Sequence, residues 1–409
     1  MTIPYMIWNG SPEIFSFGSF ALRWYGLLFA LGFLISQQIL YYIYRTEGKP
    51  EKDVDTLTVY MVIATIVGAR LGHVIFYQPE LFWTDPIGVI SPFEFHPFRF
   101  SGLQGLASHG GAFGILFALW VYSNYSILFS KTDVDLTEKP NNDHSVSPKK
   151  KYGVFITKRT KPGQSYLQVL DRIVIVVALT GALIRLGNFF NSEIIGKPVN
   201  APQSIVFFNR ITESLLKDPA STVVQSITVS KDGKLPSGAH GREPIDIYVF
   251  FKPGINEQDA RGFLINDVKF FLGRYSEYVD EPASEPLHYE ISRENDGTYA
   301  ARVKTFGIAR HPAQLYESIS CVALFFLLFG LWNRQKSNTP PGRIFGVFLI
   351  ILWSLRFAYE FLKENQVEFE NTMSLNMGQI LSIPLILTGI FVLVRSYRKT
   401  NEAQVSDFN

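Results

Sequence analysis

Apolar residues in this 409-residue chain are gathered into blocks near 20 residues long, not spread as short amphipathic runs. A helix of about 20 residues is what a hydrocarbon core of about 30 Å demands, because lipid leaves no water to pair exposed backbone groups. No other feature constrains the fold as strongly. The averages hide it: 47% of residues are apolar and 18% charged, with mean hydropathy +0.12, because polar insertions dilute the blocks. The pattern excludes a soluble enzyme, a disordered chain and a single-span anchored domain. A net charge of +2 is too small to point to nucleic acid as a partner. Cys321, the single cysteine, lies in an apolar run, so neither an intramolecular disulfide nor a cysteine-cluster zinc site is expected.

Spans are expected near 19–43, 55–77, 106–129, 169–190, 313–333, 344–362 and 377–395. Residues 1–20 lack a basic n-region and a small-residue cleavage site, so no removable signal peptide is expected. Lysine and arginine gather after the first span (Arg45, Lys49, Lys52), after the third (Lys131, Lys139, Lys149 to Lys151, Lys158, Arg159, Lys161) and after the fifth (Arg334, Lys336, Arg343). The tail adds Arg395, Arg398 and Lys399, whereas 78–105 holds only Arg99 and 363–376 only Lys363. The positive-inside bias puts the N-terminus outside and the C-terminus in the cytoplasm. The expected fold is an all-α polytopic membrane protein of seven transmembrane helices with an inserted external α+β domain.

The expected divisions are a membrane core over 1–130, a flexible basic cytoplasmic loop over 131–166 and the fourth span over 167–196. The external insertion covers 197–310, spans five to seven lie in 311–400, and a cytoplasmic tail takes 401–409. Within the insertion, Ile245, Ile247, Val249 and Phe251 alternate as in a half-buried strand. Ala260, Phe263, Leu264, Val268, Phe271, Leu272 and Tyr275 keep helical spacing, and 289–291 and 299–303 read as further strands. No catalytic motif stands out in it.

Ionisable residues inside spans cost at least about 2.5–3.5 kcal/mol each at the bilayer centre, so each requires a reason. Arg70 and His73 end the second span, His109 begins the third, Arg185 and Asn188 end the fourth before Glu193, and Arg356 and Glu360 end the sixth. The topology brings these, with Tyr25, to one depth in the outer leaflet half. Packing or snorkelling explains any one of them. Several arginines together repel unless carboxylates or an anion share the site, and a phosphate suits guanidinium forks. The glycines from Gly102 through Gly105 to Gly110-Gly111 allow close helix approach or re-entrant backbone.

At these positions the chain resembles the prolipoprotein diacylglyceryl transferase family. Arg185-Leu-Gly-Asn188-Phe-Phe-Asn191-Ser-Glu193-Ile-Ile-Gly196 is similar to the family signature. Supporting segments are Arg23-Trp-Tyr25-Gly26, Gly68-Ala-Arg70-Leu-Gly72, Ser108-His109-Gly110-Gly111 and Arg310-His311-Pro312-Ala-Gln314-Leu-Tyr316-Glu317. Arg356 to Glu360 and Met377-Gly378-Gln379 complete the ordered set. Two departures are Ile184, where the family usually has glycine, and Leu352 beside Trp353, where many members have tyrosine.

The resemblance implies a bacterial inner-membrane enzyme. It would move diacylglyceryl from phosphatidylglycerol to the lipobox cysteine of a prolipoprotein, releasing glycerol 1-phosphate. Membrane lipids would be its surroundings, and neither a metal nor an organic cofactor is required. His109 is the candidate base, with Arg185 and Arg356 as phosphate-positioning catalytic groups. Tyr25, Arg70, Asn188, Glu193, His311 and Glu360 are candidate substrate-binding or orienting residues. The rival readings are a transporter or channel for an anionic solute, since buried arginines also line anion pathways, and a receptor whose spans merely anchor the insertion.

Overall fold

The computed structural model describes residues 5–17, 20–89, 91, 93–95, 98–100, 107–132, 150–158, 161–218, 222–232, 236–364, 370 and 373–406. The glycine-rich 101–106 and the Pro/Asn/Ser/Lys stretch 133–149 lie outside the described residues. Among the described residues, six helices are long and apolar enough to cross a membrane. They are α1 (Trp24–Thr46), α2 (Lys52–Tyr77), α3 (Tyr166–Phe190), α4 (Ala313–Gln335), α5 (Arg343–Tyr359) and α6 (Met377–Ser406). The chain is a polytopic membrane protein.

The expected third span differs from what forms. Its helix is Ser108–Asn124, 17 residues, and the chain then turns extended over Tyr125–Thr132, pairing antiparallel with Lys150–Lys158. At 1.5 Å per residue such a helix is about 25 Å long, short of an average hydrocarbon core. Tyr125, Ile127, Leu128 and Phe129 continue the apolar run that set the expected boundary, but aromatic and β-branched residues also suit a strand. Part of the expected 131–166 loop is therefore hairpin.

Contacts divide the chain into two compact units, 1–34 with 178–326 and 349–387, and 35–177 with 327–348 and 388–409. In the second unit, α2 and the Ser108–Asn124 helix pack backbone to backbone. A Cβ on Gly68 would lie 2.6 Å from the Gly110 carbonyl oxygen, and one on Gly72 would lie 2.6 Å from Gly110 Cα. Gly68, Gly72 and Gly110 thus serve helix approach, as small residues do in lipid. Because Gly110 faces backbone that no rotamer change can move, Gly110→Val should destabilise the protein by about 1–3 kcal/mol. Thermal unfolding in detergent would show a lowered Tm.

One end of this unit carries a buried polar knot. Arg172 donates to Glu47 at 2.7 and 3.0 Å, Trp332 Nε1 donates to Glu47 at 2.7 Å, and Lys49 pairs with Glu47 at 2.5 Å. Its neighbour Asp171 accepts from the backbone N–H groups of Gly342 (2.7 Å) and Phe345 (2.8 Å). That satisfies orphan donors where α5 begins. Sequence reading passed over Asp171 and Arg172 at the start of the fourth block.

In the first unit a mixed sheet has spatial order β1 (Met6–Trp8), β2 (Ile205–Phe207), β7 (Tyr299–Arg310), β4 (Arg242–Phe251), β3 (Val224–Lys231). The short β5 (Val279–Asp280) and β6 (Tyr289–Arg293) also pair with β7. Strands β1 and β2 are parallel; the other pairs are antiparallel. The alternating Ile245, Ile247, Val249 and Phe251 all point into the core. Ala260, Phe263, Leu264, Val268, Phe271 and Leu272 cover that face from Glu257–Phe263, a π-turn at Leu264–Val268, and Lys269–Arg274. β1 was not foreseen, being only three residues long. Its Trp8 packs on Phe189 and Phe190, ring centroids 4.6 and 5.5 Å away, which ties the sheet to the end of α3.

Candidate active site

The site grows from the end of α3. Arg185 and Asn188 lie one turn apart on it, and α3 ends at Phe190. The chain then bends through Ser192 (φ 51°) and Ile194 (φ 56°), both left-handed, on either side of Glu193. That region is costly for a β-branched residue such as isoleucine, so the surroundings must hold the bend. They do. Asn188 Nδ2 donates to Glu193 Oε2 at 3.3 Å and Arg210 Nη2 to Glu193 Oε1 at 3.2 Å. Gln314 Nε2 donates to the Glu193 carbonyl at 2.6 Å, and the Tyr278 hydroxyl to that of Ser192 at 3.1 Å.

Two close approaches explain motif glycines. A Cβ on Gly187 would come within 2.9 Å of the Tyr25 ring, so glycine there lets Tyr25 on α1 lie against α3. A Cβ on Gly196 would lie 2.6 Å from the His311 carbonyl and 2.9 Å from that of Leu362. Gly196 N donates to the His311 carbonyl at 3.0 Å, and Lys197 N to that of Leu362 at 2.7 Å. Gly196 therefore stitches the signature loop to the entrance of α4 and to the segment after α5.

Around this frame charges alternate. Arg185 Nε lies 2.5 Å from Glu317 Oε2, and the other Glu317 oxygen pairs with Lys363. Lys363 Nζ is 3.4 Å from Glu360 Oε1, which lies 3.8 Å from Arg356 Nη2. Asn376 Nδ2 donates to the other Glu360 oxygen at 3.2 Å, and Gly378 leaves room for that carboxylate. The carboxylates keep three cations from repelling one another, yet leave the row one positive charge in excess. Lys363 has a 5% exposed side chain, whereas those of Arg185 and Arg356 are 22% and 34% exposed. The arginines are the accessible ends and the lysine is the buried bridge.

The expected residues divide between the two units. Tyr25, Arg185, Asn188, Glu193, His311, Arg356 and Glu360 lie in the first unit, Arg70 and His109 in the second. Arg70 is buried and donates through Nε to the Val89 carbonyl and through Nη2 to that of Gly88, both at 2.9 Å. His109 is the second residue of the Ser108–Asn124 helix; its side chain lies outside the described residues. His311 Nδ1 is 3.3 Å from the Tyr316 hydroxyl, and burial pushes its pKa below the ordinary imidazole value, favouring a neutral ring.

Sequence reading gave no role to Glu317, Lys363, Arg210 or Gln314. A signal existed for Glu317, an ionisable residue in an apolar block. Lys363 counted only as a loop charge, and nothing in the sequence joins Arg210 to Glu193.

Comparison with known proteins agrees with this frame. The family model "Prolipoprotein diacylglyceryl transferase" matches residues 12–136 and 152–395. A protein of Tolumonas auensis named phosphatidylglycerol--prolipoprotein diacylglyceryl transferase is 28% identical over 96% of this chain and 98% of its own length. Proteins of the same name from Bacteroides fragilis (28%, over 94% of this chain and 93% of theirs) and Chloroherpeton thalassium (27%, over 99% of both) are similar along nearly the whole length. The signature loop, its ordered partner motifs and the matched family all lie on one polytopic frame, and the chain belongs to the prolipoprotein diacylglyceryl transferase family of membrane enzymes.

Proposed function

We propose that this enzyme transfers the diacylglyceryl group of phosphatidylglycerol to the lipobox cysteine of a prolipoprotein, releasing glycerol 1-phosphate. The observation that carries the reading is the row Arg185–Glu317–Lys363–Glu360–Arg356, two partly exposed guanidinium groups held by carboxylates on a buried lysine. Its excess positive charge matches a phosphodiester, and the guanidinium forks match phosphate oxygens.

In the step, the substrate thiolate sulfur attacks the glycerol carbon that bears the phosphate. The S–C bond forms, the C–O bond breaks, and its electron pair leaves with the phosphate ester. A thiol of pKa about 8.5 must first lose its proton, and His109 is assigned that proton as general base. Arg185 and Arg356 stabilise charge on the departing phosphate, fixed beforehand by Glu317 and Glu360. Asn188 and Glu193 order the signature loop, and Tyr25, His311 and Arg70 are assigned to the lipid head.

We place the enzyme in the bacterial inner membrane. The 17-residue Ser108–Asn124 helix serves as a short seventh crossing where the bilayer thins locally, with N-terminus outside, C-terminus inside and the sheet-bearing 197–310 insertion external. The sequence-based domain limits are kept in this proposal, with the strands Tyr125–Thr132 and Lys150–Lys158 running into the cytoplasmic segment. This topology opens the site toward the outer leaflet, where lipid and prolipoprotein meet.

The purified protein should move label from phosphatidylglycerol to a lipobox peptide. Absence of transfer, with anion flux in liposomes instead, would favour the transporter alternative, which family membership does not. Lys363→Met should raise the KM for phosphatidylglycerol about tenfold, because the row loses its excess charge while Glu317 and Glu360 keep theirs. Lys363→Arg should restore most of the affinity. Steady-state rates against lipid concentration would show both.

A further inference from the structure

Two amide oxygens beside Glu193 have no donor among the described residues: Gln314 Oε1 and Asn191 Oδ1. Gln314 is 1% exposed. Its orientation is set by the other end of its amide, where Nε2 donates to the Glu193 carbonyl at 2.6 Å. Asn191 likewise turns Nδ2 to the Glu193 carboxylate, at 3.4 Å. Both side chains point their nitrogens at one residue and leave acceptors over. A buried acceptor without a donor is destabilising, so such a pair calls for a partner.

The position says which donor fits. Gln314 is three residues before Glu317 on α4, about 4.5 Å along the axis, and Glu317 holds Arg185. The acceptor thus lies one turn from the proposed phosphate grip. In phosphatidylglycerol the carbons just beyond the phosphate ester carry two adjacent hydroxyls, each a donor. A lipid whose head ends in a plain alkyl chain offers none.

We propose that Gln314, assisted by Asn191, is a specificity-determining residue that reads the hydroxyls of the lipid head. Gln314 Oε1 accepts one hydroxyl proton and Asn191 Oδ1 the other. The long Asn191–Glu193 bond is the contact that yields to admit the head. The inference rests on the lipid-phosphate reading above and extends it from the phosphate to the polyol.

The test crosses protein and substrate. Transfer to a lipobox peptide is measured for the native protein and for Gln314→Met, each with phosphatidylglycerol and with phosphatidylpropanol, which lacks the head hydroxyls. The native enzyme should prefer phosphatidylglycerol by about tenfold or more in kcat/KM. The variant should lose about tenfold more with phosphatidylglycerol than with phosphatidylpropanol, any loss common to both coming from the broken bond to the Glu193 carbonyl, and so lose the preference. Equal losses on both lipids would overturn the proposal and leave Gln314 a support of the Glu193 loop. Equal losses with a raised KM for the peptide would overturn it in favour of a peptide N–H as the donor. Should the variant fail to fold, equal use of both lipids by the native enzyme would overturn the proposal by itself. Failure of the native enzyme to use phosphatidylglycerol would instead sink the functional reading beneath it.

Discussion

Replacing Arg185 or Arg356 by lysine should cost about 2–4 kcal/mol of transition-state stabilisation, the scale seen when one oxyanion donor is lost. Lysine keeps the positive charge but offers a point contact where guanidinium offers a planar fork. At Arg185 the change also shortens the reach to Glu317, now bridged at 2.5 Å through Nε. At Arg356 the pairing with Glu360 is looser, 3.8 Å, and the group is more exposed. That variant should lose less through its partner and more through the phosphate. Raising the pH should restore neither, because both side chains stay protonated across the neutral to mildly alkaline range. Transfer rates across that range decide the matter, and near-normal rates for both lysine variants would defeat the phosphate grip.

A different profile is expected at His109. If its imidazole takes the thiol proton, His109→Gln should slow transfer about 10²–10⁴-fold near neutral pH. The defect should shrink as pH rises toward the free-thiol pKa of about 8.5, since more substrate ionises unaided. The native enzyme gains less over the same range, so the ratio of rates narrows. A defect that stays constant with pH would assign His109 to positioning and leave thiol ionisation to the cationic surroundings and water.

These predictions draw on residues that were visible in the sequence, which marks how far it reaches. Length and apolarity alone set the membrane helices, because lipid admits no unpaired backbone and so turns composition into architecture. Period-two alternation from Ile245 to Phe251 likewise announced the inward face of β4. Arg185, Arg356 and Glu360 stood out because charge within an apolar block is expensive and must have a use, and Asn188 and Glu193 because they follow Arg185 in the signature segment.

What the sequence by itself did not determine depends on which segments meet. The block after Ser108 read as a full span, yet its helix stops at Asn124, since aromatic and branched residues satisfy strand and helix alike. The three residues of β1 carry too little pattern to detect, although Trp8 buttresses the end of α3. The insertion held no motif, but its Arg210 and Tyr278 hold the bend around Glu193, a role that exists only once the chain has returned. Lys363 looked like a loop charge and became the buried bridge between Glu317 and Glu360. Local sequence specifies a residue's chemistry and its helix or strand; only tertiary packing brings Lys363 to Glu317, because an ion pair is defined by distance in space and Glu317 lies on α4, far from Lys363 along the chain.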